Sequence, residues 1–276
     1  MSSASKMSAA GSHSRLFGSK VEKPYGAWES PITSKAITAG SVSLSALRII
    51  QSKNKEDEDQ PLKLYWLEGR PQEGGRVVLV QYAPDSDDPN KSARNAVDVT
   101  PPDSNARTRV HEYGGGAVTM GQDSVFYSDF SSQRVFQLDA SSSNANAKAR
   151  AVSPPVENAR FRFADGVYDE VNERLLLVRE DHTLSDPKDV VNQVVSLRTD
   201  EDESHKEESE NDRMTVLATG RDFYAAPRLS PDGTQLAYMA WNHPNMPWDA
   251  TELRVRSMSK EDTDDATDAD TSTHTL

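Results

Sequence analysis

The chain has 276 residues, of which 35% are hydrophobic and 27% charged, and its formal net charge at pH 7 is −13. The acidic balance argues against nucleic-acid binding, because neutralising phosphates requires clustered Lys and Arg. The absence of Cys excludes disulfides, a thiolate nucleophile and a Cys-based zinc site. Much of the charge lies in polar stretches predicted to be solvated loops, at 52–60, 85–95, 141–149 and 200–213.

Both ends of the chain are predicted to be disordered. Residues 1–22 are rich in Ser and lack the hydrophobic region of a secretory signal. Their composition permits an organellar transit peptide, but a plain disordered terminus and a cytoplasmic location are favoured. Residues 259–276 form an acidic Ser/Thr-rich tail. No apolar run approaches the roughly 20 residues that a membrane span requires, so no membrane partner is expected.

The ordered part of the chain alternates between strand-like segments and turns. Four predicted hairpins join aromatic and β-branched segments, at 62–67 with 76–82, 124–128 with 134–138, 174–179 with 190–198, and 235–241 with 252–256. An apolar strand precedes each hairpin, at 41–50, 115–120, 163–168 and 223–229. A short outer strand ended by Pro or Gly follows the first three, at 97–102, 151–155 and 215–220.

This unit of four strands recurs about every 50 to 65 residues, close to the period of propeller blades. The sequence therefore predicts an all-β fold: a partial β-propeller of about three and a half to four four-stranded blades within residues 23–258. The predicted blades span about 41–102, 111–155, 160–220 and 223–258. A β-sandwich is the rival fold, disfavoured because its turns are spaced by roughly 8–12 residues.

The fourth blade is expected to lack its outer strand, because the chain passes from 252–256 into the acidic tail. A ring of so few blades does not readily close, so the chain is expected to be cut from a longer protein. Apolar residues of the last blade should then be partly exposed, among them Leu236, Tyr238 and Met239.

Several uncommon strings follow one another in a fixed order along the chain. They are YGAWESPIT at 25–33, WLEGRP at 66–71, RTRVHEYGGG at 107–116, FADGV at 163–167, DFYAAPR at 222–228 and WNHPNMPWD at 241–249. In this order the chain resembles, from about residue 25 to about 255, the N-terminal propeller of the prolyl oligopeptidase family of serine peptidases. The branch it resembles contains the acylaminoacyl-peptidases and dipeptidyl-aminopeptidases.

This resemblance implies a propeller that gates or positions a peptide substrate for a C-terminal α/β-hydrolase domain. In the family that domain supplies a Ser on a G-x-S-x-G elbow, followed by Asp and His. The present sequence contains no G-x-S-x-G, and no motif gives His111 or His243 a nucleophile. We therefore predict no catalytic residue and no activity from this chain alone. The alternative is a free-standing, propeller-like interaction module without a peptidase role.

Two segments supply candidate residues for a substrate channel or a domain interface. The first precedes an inner strand, and a buried ion-pair network is an equally good interpretation of it: Arg107, Arg109, His111, Glu112 and Tyr113. The second is an over-long hairpin loop that presents aromatic side chains to a partner or packs on its own blade: Trp241, His243 and Trp248.

Two further patterns are interpreted as structural. The glycines at 114–116 lack the G-x-x-x-x-G-K-[ST] pattern and a following helix, so they predict a tight approach to an inner strand and not a phosphate cradle. The acidic residues at 262–270 lack the spacing of an EF-hand loop. No metal site and no cofactor are predicted.

Overall fold

The computed structural model describes residues 22–27, 30–38, 40–50, 62–82, 96–140, 148–184, 186–200, 213–258 and 272–275. The polar loops predicted from sequence lie almost wholly outside these residues, as does nearly all of the 1–22 terminus. The chain divides into two compact units, Met1–Ala39 and Gly40–Leu276. In the first unit, helix α1 (Ser34–Thr38) follows Thr33, whose Oγ1 accepts the Ala36 N–H at 3.0 Å. This bond is a typical N-cap.

The second unit contains four antiparallel sheets of four strands, and in each sheet every strand pairs with the next along the chain. Blade 1 consists of β1 (Ser43–Ile50), β2 (Lys63–Arg70), β3 (Arg76–Tyr82) and β4 (Ala96–Asp98). Blade 2 consists of β5 (Val118–Met120), β6 (Ser124–Ser128), β7 (Val135–Asp139) and β8 (Arg150–Ala151). Blade 3 consists of β9 (Phe161–Asp169), β10 (Arg174–Asp181), β11 (Val191–Arg198) and β12 (Met214–Ala218). Blade 4 consists of β13 (Phe223–Leu229), β14 (Gln235–Trp241), β15 (Glu252–Ser257) and β16 (Ser272–Thr275).

Short 3-10 helices interrupt the connections, at Pro71–Glu73, Glu157–Ala159 and Pro187–Asp189. The four sheets with almost no helix confirm the predicted all-β, partial-propeller fold.

Blade 4 differs from the prediction because its outer strand is present. β16 pairs antiparallel with β15, from Glu252 opposite Thr275 to Val255 opposite Ser272. The expectation that this strand is missing was therefore wrong, as was the assignment of 272–275 to a disordered tail. The short segment alternates β-favouring Thr with polar residues, and the acidic sequence before it concealed this pattern.

Three apolar cores lie between successive blades. Tyr65 and Leu79 of blade 1 pack with Val125 and Tyr127 of blade 2. Phe126 of blade 2, which points to the opposite face from its neighbours, packs with residues of blade 3. Because successive side chains of a strand alternate between faces, a blade buried on both sides has a continuous apolar run.

Blade 3 shows the same alternation. Leu175 and Leu177 belong to the core shared with blade 2, whereas Leu176 belongs to the core shared with blade 4. In that last core Leu236 and Tyr238 are 0% and 1% exposed. The expectation that these two residues would be exposed was wrong, since they face blade 3.

The first strands of blades 1, 3 and 4 carry a β-bulge at the same place. The register shifts after Ser45 in β1, between Ala164 and Val167 in β9, and after Ala225 in β13. At each shift one non-glycine residue has a positive φ: 52° at Ala46, 56° at Asp165 and 51° at Ala226. A bulge redirects the backbone and leaves groups unpaired, and β9 lies against both β5 and β13. At the bulge in β9 the Asp165 N–H donates to the Gly116 carbonyl at 2.8 Å, and at the bulge in β13 the Ala226 N–H donates to Asp165 Oδ2 at 3.3 Å.

Candidate functional site

The candidate site is a cavity of about 400 Å³ at one end of blades 3 and 4. β9 and β13 begin at this end, β10 and β14 finish there, and the 107–116 segment approaches it from blade 2. The lining residues are His111, Glu112, Arg162, Glu180, His182, Pro187, Lys188, Val190, Asn192, Asp222, Phe223 and His243.

Glu180 is a buried carboxylate, only 3% exposed, that contacts several other residues of the site. Its Oε1 accepts the backbone N–H of His111 at 2.7 Å, and its Oε2 lies 2.9 Å from His182 Nε2. The Arg162 guanidinium lies 4.0 Å from the same Oε2. These partners stabilise a carboxylate that would otherwise be costly to bury.

The turn that Glu180 holds has an unusual backbone. His111 and Glu112 have φ of 56° and 62°, and the Gly114 N–H closes the turn on the Val110 carbonyl at 2.8 Å. Positive φ is costly for non-glycine residues, so the buried bond from Glu180 to His111 helps to maintain the turn. The turn places Glu112 and Tyr113 at the surface, where both are exposed.

Aromatic rings surround the His111 imidazole. Its centroid lies 5.5 Å from Phe223, 5.6 Å from Tyr113 and 5.7 Å from Trp241. Phe223 stacks on Trp241 at 5.3 Å and meets His243 edge-on at 5.0 Å. Burial lowers the pKa of His111, and the nearby carboxylates only partly offset this effect. His111 is therefore neutral at pH 7.

Glu112 forms an ion pair with Arg162 of β9, and this pair is not a buried one, because the Glu112 side chain is 78% exposed. The two side chains are 2.6 Å apart, and Arg162 also donates to the Arg109 carbonyl at 3.1 Å. The hydrogen bond from Arg162 lowers the pKa of the Glu112 carboxyl. This pair connects the 107–116 segment to blade 3.

Arg107 and Arg109 point away from the cavity. Their guanidinium groups lie 4.8 Å and 5.5 Å from the centroid of the Phe130 ring, a distance typical of cation–π contacts. The backbone N–H of Arg109 donates to Gln133 Oε1 at 2.9 Å. The structure therefore separates these two arginines from the other candidates.

The loop between β14 and β15 is braced internally but leaves an aromatic residue exposed. Thr251 Oγ1 donates to the Pro247 carbonyl at 2.6 Å, and the Met246 N–H donates to Asp249 at 3.0 Å. Trp241, at the end of β14, is 6% exposed, whereas Trp248 is 76% exposed. Hydrogen bonds within the loop therefore hold its backbone, while the Trp248 side chain lies at the surface.

Asp165 links the inner strands beside the site. Its Oδ1 accepts the Gly116 N–H at 2.6 Å, and its Oδ2 accepts the Ala226 N–H at 3.3 Å. A Cβ at Gly116 would lie 2.9 Å from Asp165 Oδ1, so glycine is required for this close approach. One carboxylate of blade 3 therefore binds the backbones of blades 2 and 4.

Sequence reasoning did not single out Arg162, Glu180, Asn192 or Asp222. A signal was present for Glu180, which is a charged residue at the end of the apolar run of β10. For the others, the pairing of blades had to be known before their side chains could be placed together.

The part of the chain that the structure describes contains neither a candidate metal-binding cluster nor a candidate membrane-spanning helix. Its His, Asp and Glu residues form no group of three or more that could hold a metal ion. None of its helices is long and apolar enough to cross a membrane.

Solved structures of puromycin-hydrolysing peptidases share this fold. The peptidase of Mycobacterium tuberculosis is 27% identical with a TM-score of 0.67, over 93% of this chain and 35% of that chain. Puromycin hydrolase is 26% identical with a TM-score of 0.67, over 92% of this chain and 35% of that one. A mutant of puromycin hydrolase complexed with PGG is 26% identical with a TM-score of 0.70, over 91% of this chain and 35% of that one.

No protein-family model matches the sequence, and no curated protein is significantly similar to it. The chain spans about a third of the length of the peptidases that it matches. The order of its motifs, its four blades and this structural likeness agree: the chain is similar to the N-terminal β-propeller of prolyl oligopeptidase-like peptidases.

Proposed function

We propose that this propeller docks an α/β-hydrolase domain and controls how a peptide reaches its catalytic serine. The enzyme would belong with the acylaminoacyl-peptidases and dipeptidyl-aminopeptidases. It would cleave short substrates near their N-terminal end through an acyl-enzyme. The structural relatives, which are named for hydrolysing puromycin, support an aminoacyl substrate. The cysteine-free sequence suits a reducing compartment, and we place the enzyme in the cytoplasm.

The observation that carries this proposal is a set of exposed apolar side chains that lie close in sequence to the residues lining the cavity. Four lie on connections at this end of blades 2 to 4, and Val191 begins β11: Tyr113, 74% exposed; Leu184, 59%; Val191, 46%; Met246, 44%; and Trp248, 76%. We call these five residues the apolar rim. Exposed apolar residues grouped around a polar cavity are typical of interaction surfaces. Docking of a second domain on the rim would cover them and enclose the cavity.

The cavity then lies between the two domains. A substrate passing from the propeller side would meet Glu180, Phe223 and His243 before it reached the hydrolase. Side chains held by buried bonds, as Glu180 is, orient a ligand with little loss of conformational entropy. The propeller would thus select by size and by polar contacts, while the hydrolase domain performs the chemistry.

The test is the effect of the propeller on substrate length. The full chain would be fused ahead of its cognate α/β-hydrolase domain, and kcat/KM measured on an aminoacyl anilide and on a peptide of about 30 residues carrying the same N-terminal residue. We expect the fusion to prefer the short substrate by at least about tenfold more than the hydrolase domain alone does. Equal selectivity with and without the propeller, in a fusion that melts cooperatively, would contradict gating and favour the free-standing interaction module.

A further inference from the structure

The cavity holds more carboxylate charge than its own cations neutralise. Three carboxylates and two permanently cationic groups line it, together with the imidazoles of His111, His182 and His243: Glu112, Glu180, Asp222, Arg162 and Lys188. Lys188 is engaged by Asp186, outside the lining, at 3.2 Å. Arg162 lies 2.6 Å from Glu112 and 4.0 Å from Glu180, so one guanidinium serves two carboxylates. The lining therefore favours a cationic guest.

The floor of the cavity contains a second acceptor. Asn192 is directly opposite Glu180 across β10 and β11 and is only 5% exposed. Its Oδ1 has no hydrogen-bond partner among the described residues. A buried acceptor without a donor is unfavourable, and rotation about the terminal torsion of Asn192 would offer this oxygen to a guest. The guest should therefore carry several donors.

The walls suit a planar cation on an apolar stem. The rings of Phe223 and His243 meet edge-on at 5.0 Å, and Pro187 and Val190 add apolar surface. Guanidinium groups stack on aromatic rings and bind carboxylates through a fork of donors, while their methylene stems pack on apolar atoms.

We propose that this cavity binds the basic side chain of a peptide, arginine in preference to lysine, with the guanidinium donating to Glu180 and Asn192. The proposal rests on the proposed function only in taking the ligand to be a peptide. A terminal α-ammonium group is a poorer fit, because it carries the polar main chain directly beside it. Bringing it to the buried Glu180 would bury peptide amides that lack partners, whereas an arginine side chain reaches the floor alone.

The test is a calorimetric titration of the full chain with acetylated, amidated Gly-Arg-Gly. The same peptide with citrulline replaces the charged group by a neutral isostere, and Gly-Gly-Gly amide with a free amino terminus offers only an α-ammonium. We expect the arginine peptide to bind at least roughly tenfold more tightly than either, the effect of one charge-assisted hydrogen bond. Equal binding of the citrulline peptide, or tighter binding of the free-amine peptide, would overturn the proposal.

Variants locate the site. Glu180→Gln preserves shape and should weaken the arginine peptide by roughly tenfold or more. If this buried change unfolds the chain, Asp222→Asn, at an exposed position, should weaken binding by a few-fold. Asp232→Asn, in a turn at the opposite end of blade 4, is the matched control and should change nothing. Unchanged binding in folded Glu180→Gln or Asp222→Asn, or equal loss in the control, would contradict the assignment. Because no hydrolase is involved, this outcome is independent of the gating test.

Discussion

Glu180 of blade 3 and His111 of the segment before blade 2 are joined by a buried hydrogen bond, in which the carboxylate accepts the backbone N–H at 2.7 Å. The bond holds the His111 ring against Phe223 and Trp241. A side chain of one blade thereby fixes the backbone of another at the cavity.

The burial of His111 makes stability depend on pH. Burial lowers the pKa of its imidazole below the ordinary value of 6.5, so the unfolded chain takes up the proton first as the pH falls. The stability from neutral His111 is complete above about pH 6.5 and is lost as the pH falls through the folded pKa. Urea unfolding at pH 8, 6.5 and 5.5 should show this decline. His111→Asn should unfold at lower urea but with a flatter pH dependence.

Glu112, the exposed carboxylate next to His111, does not interfere with this measurement. The lowered pKa of Glu112 places its titration below the ordinary value of 4.5. A pH dependence between 8 and 5.5 that is the same in His111→Asn as in the unmodified chain would contradict the assignment to His111.

Asp165 should be a stabilising residue although it lies at a bulge with positive φ. Asp165→Ala removes the acceptors of the Gly116 and Ala226 N–H groups and leaves the strained backbone. We expect a loss of about 2–4 kcal/mol in the free energy of unfolding. Asp165→Asn, which tolerates positive φ and keeps one acceptor, should lose about half as much. Equal losses in the two variants in urea unfolding would show that the acceptor retained by Asn does not stabilise the fold, and would contradict this prediction.

Replacing Trp241 should lower the stability of the fold far more than replacing Trp248. Trp241 is 6% exposed and stacks on Phe223, so Trp241→Ala should cost about 3–5 kcal/mol in stability. Trp248 is 76% exposed, and Trp248→Ala should change stability by no more than about 0.5 kcal/mol. Thermal melts of both variants are the measurement. A large loss in Trp248→Ala would mean that this side chain packs on its own blade.

The chain alone should be catalytically silent. The sequence lacks a G-x-S-x-G elbow, and a serine without an activating base is a weak nucleophile. Purified chain should neither hydrolyse aminoacyl or acylaminoacyl chromogenic peptides above background nor react with a fluorophosphonate probe. Stoichiometric labelling of one serine would refute this prediction.

Local sequence signals predicted most of the architecture. Strands such as β6 and β10 combine apolar runs with β-branched or aromatic residues. The Ser-Pro-Asp-Gly string at 230–233 is typical of a turn, and in it the Gly233 N–H donates to the Ser230 carbonyl at 2.9 Å. β16 was missed because a short strand in polar sequence has little intrinsic signal. Its place is determined by pairing with β15.

The site was less predictable than the fold. The motif 107–116 identified His111 and Glu112, but their partners Glu180 and Arg162 come from strands 50 or more residues away. Only the packing of blade 2 on blade 3 brings these side chains together, and no local pattern encodes that contact. For the same reason the sequence did not show that the guanidinium groups of Arg107 and Arg109, which are close to His111 in sequence, lie over the Phe130 ring.

The docking of a hydrolase domain on the apolar rim is tested most directly by its dissociation constant with the full chain. Trp248→Ala removes an exposed aromatic side chain from the rim. The control, Val171→Ala, removes an apolar side chain that is 86% exposed at the opposite end of blade 3. Calorimetric titration with the cognate hydrolase domain should show binding weakened by roughly tenfold or more in Trp248→Ala and unchanged in Val171→Ala. Unchanged binding in Trp248→Ala, together with weakened binding in Val171→Ala, would place the partner at the other end and contradict the account.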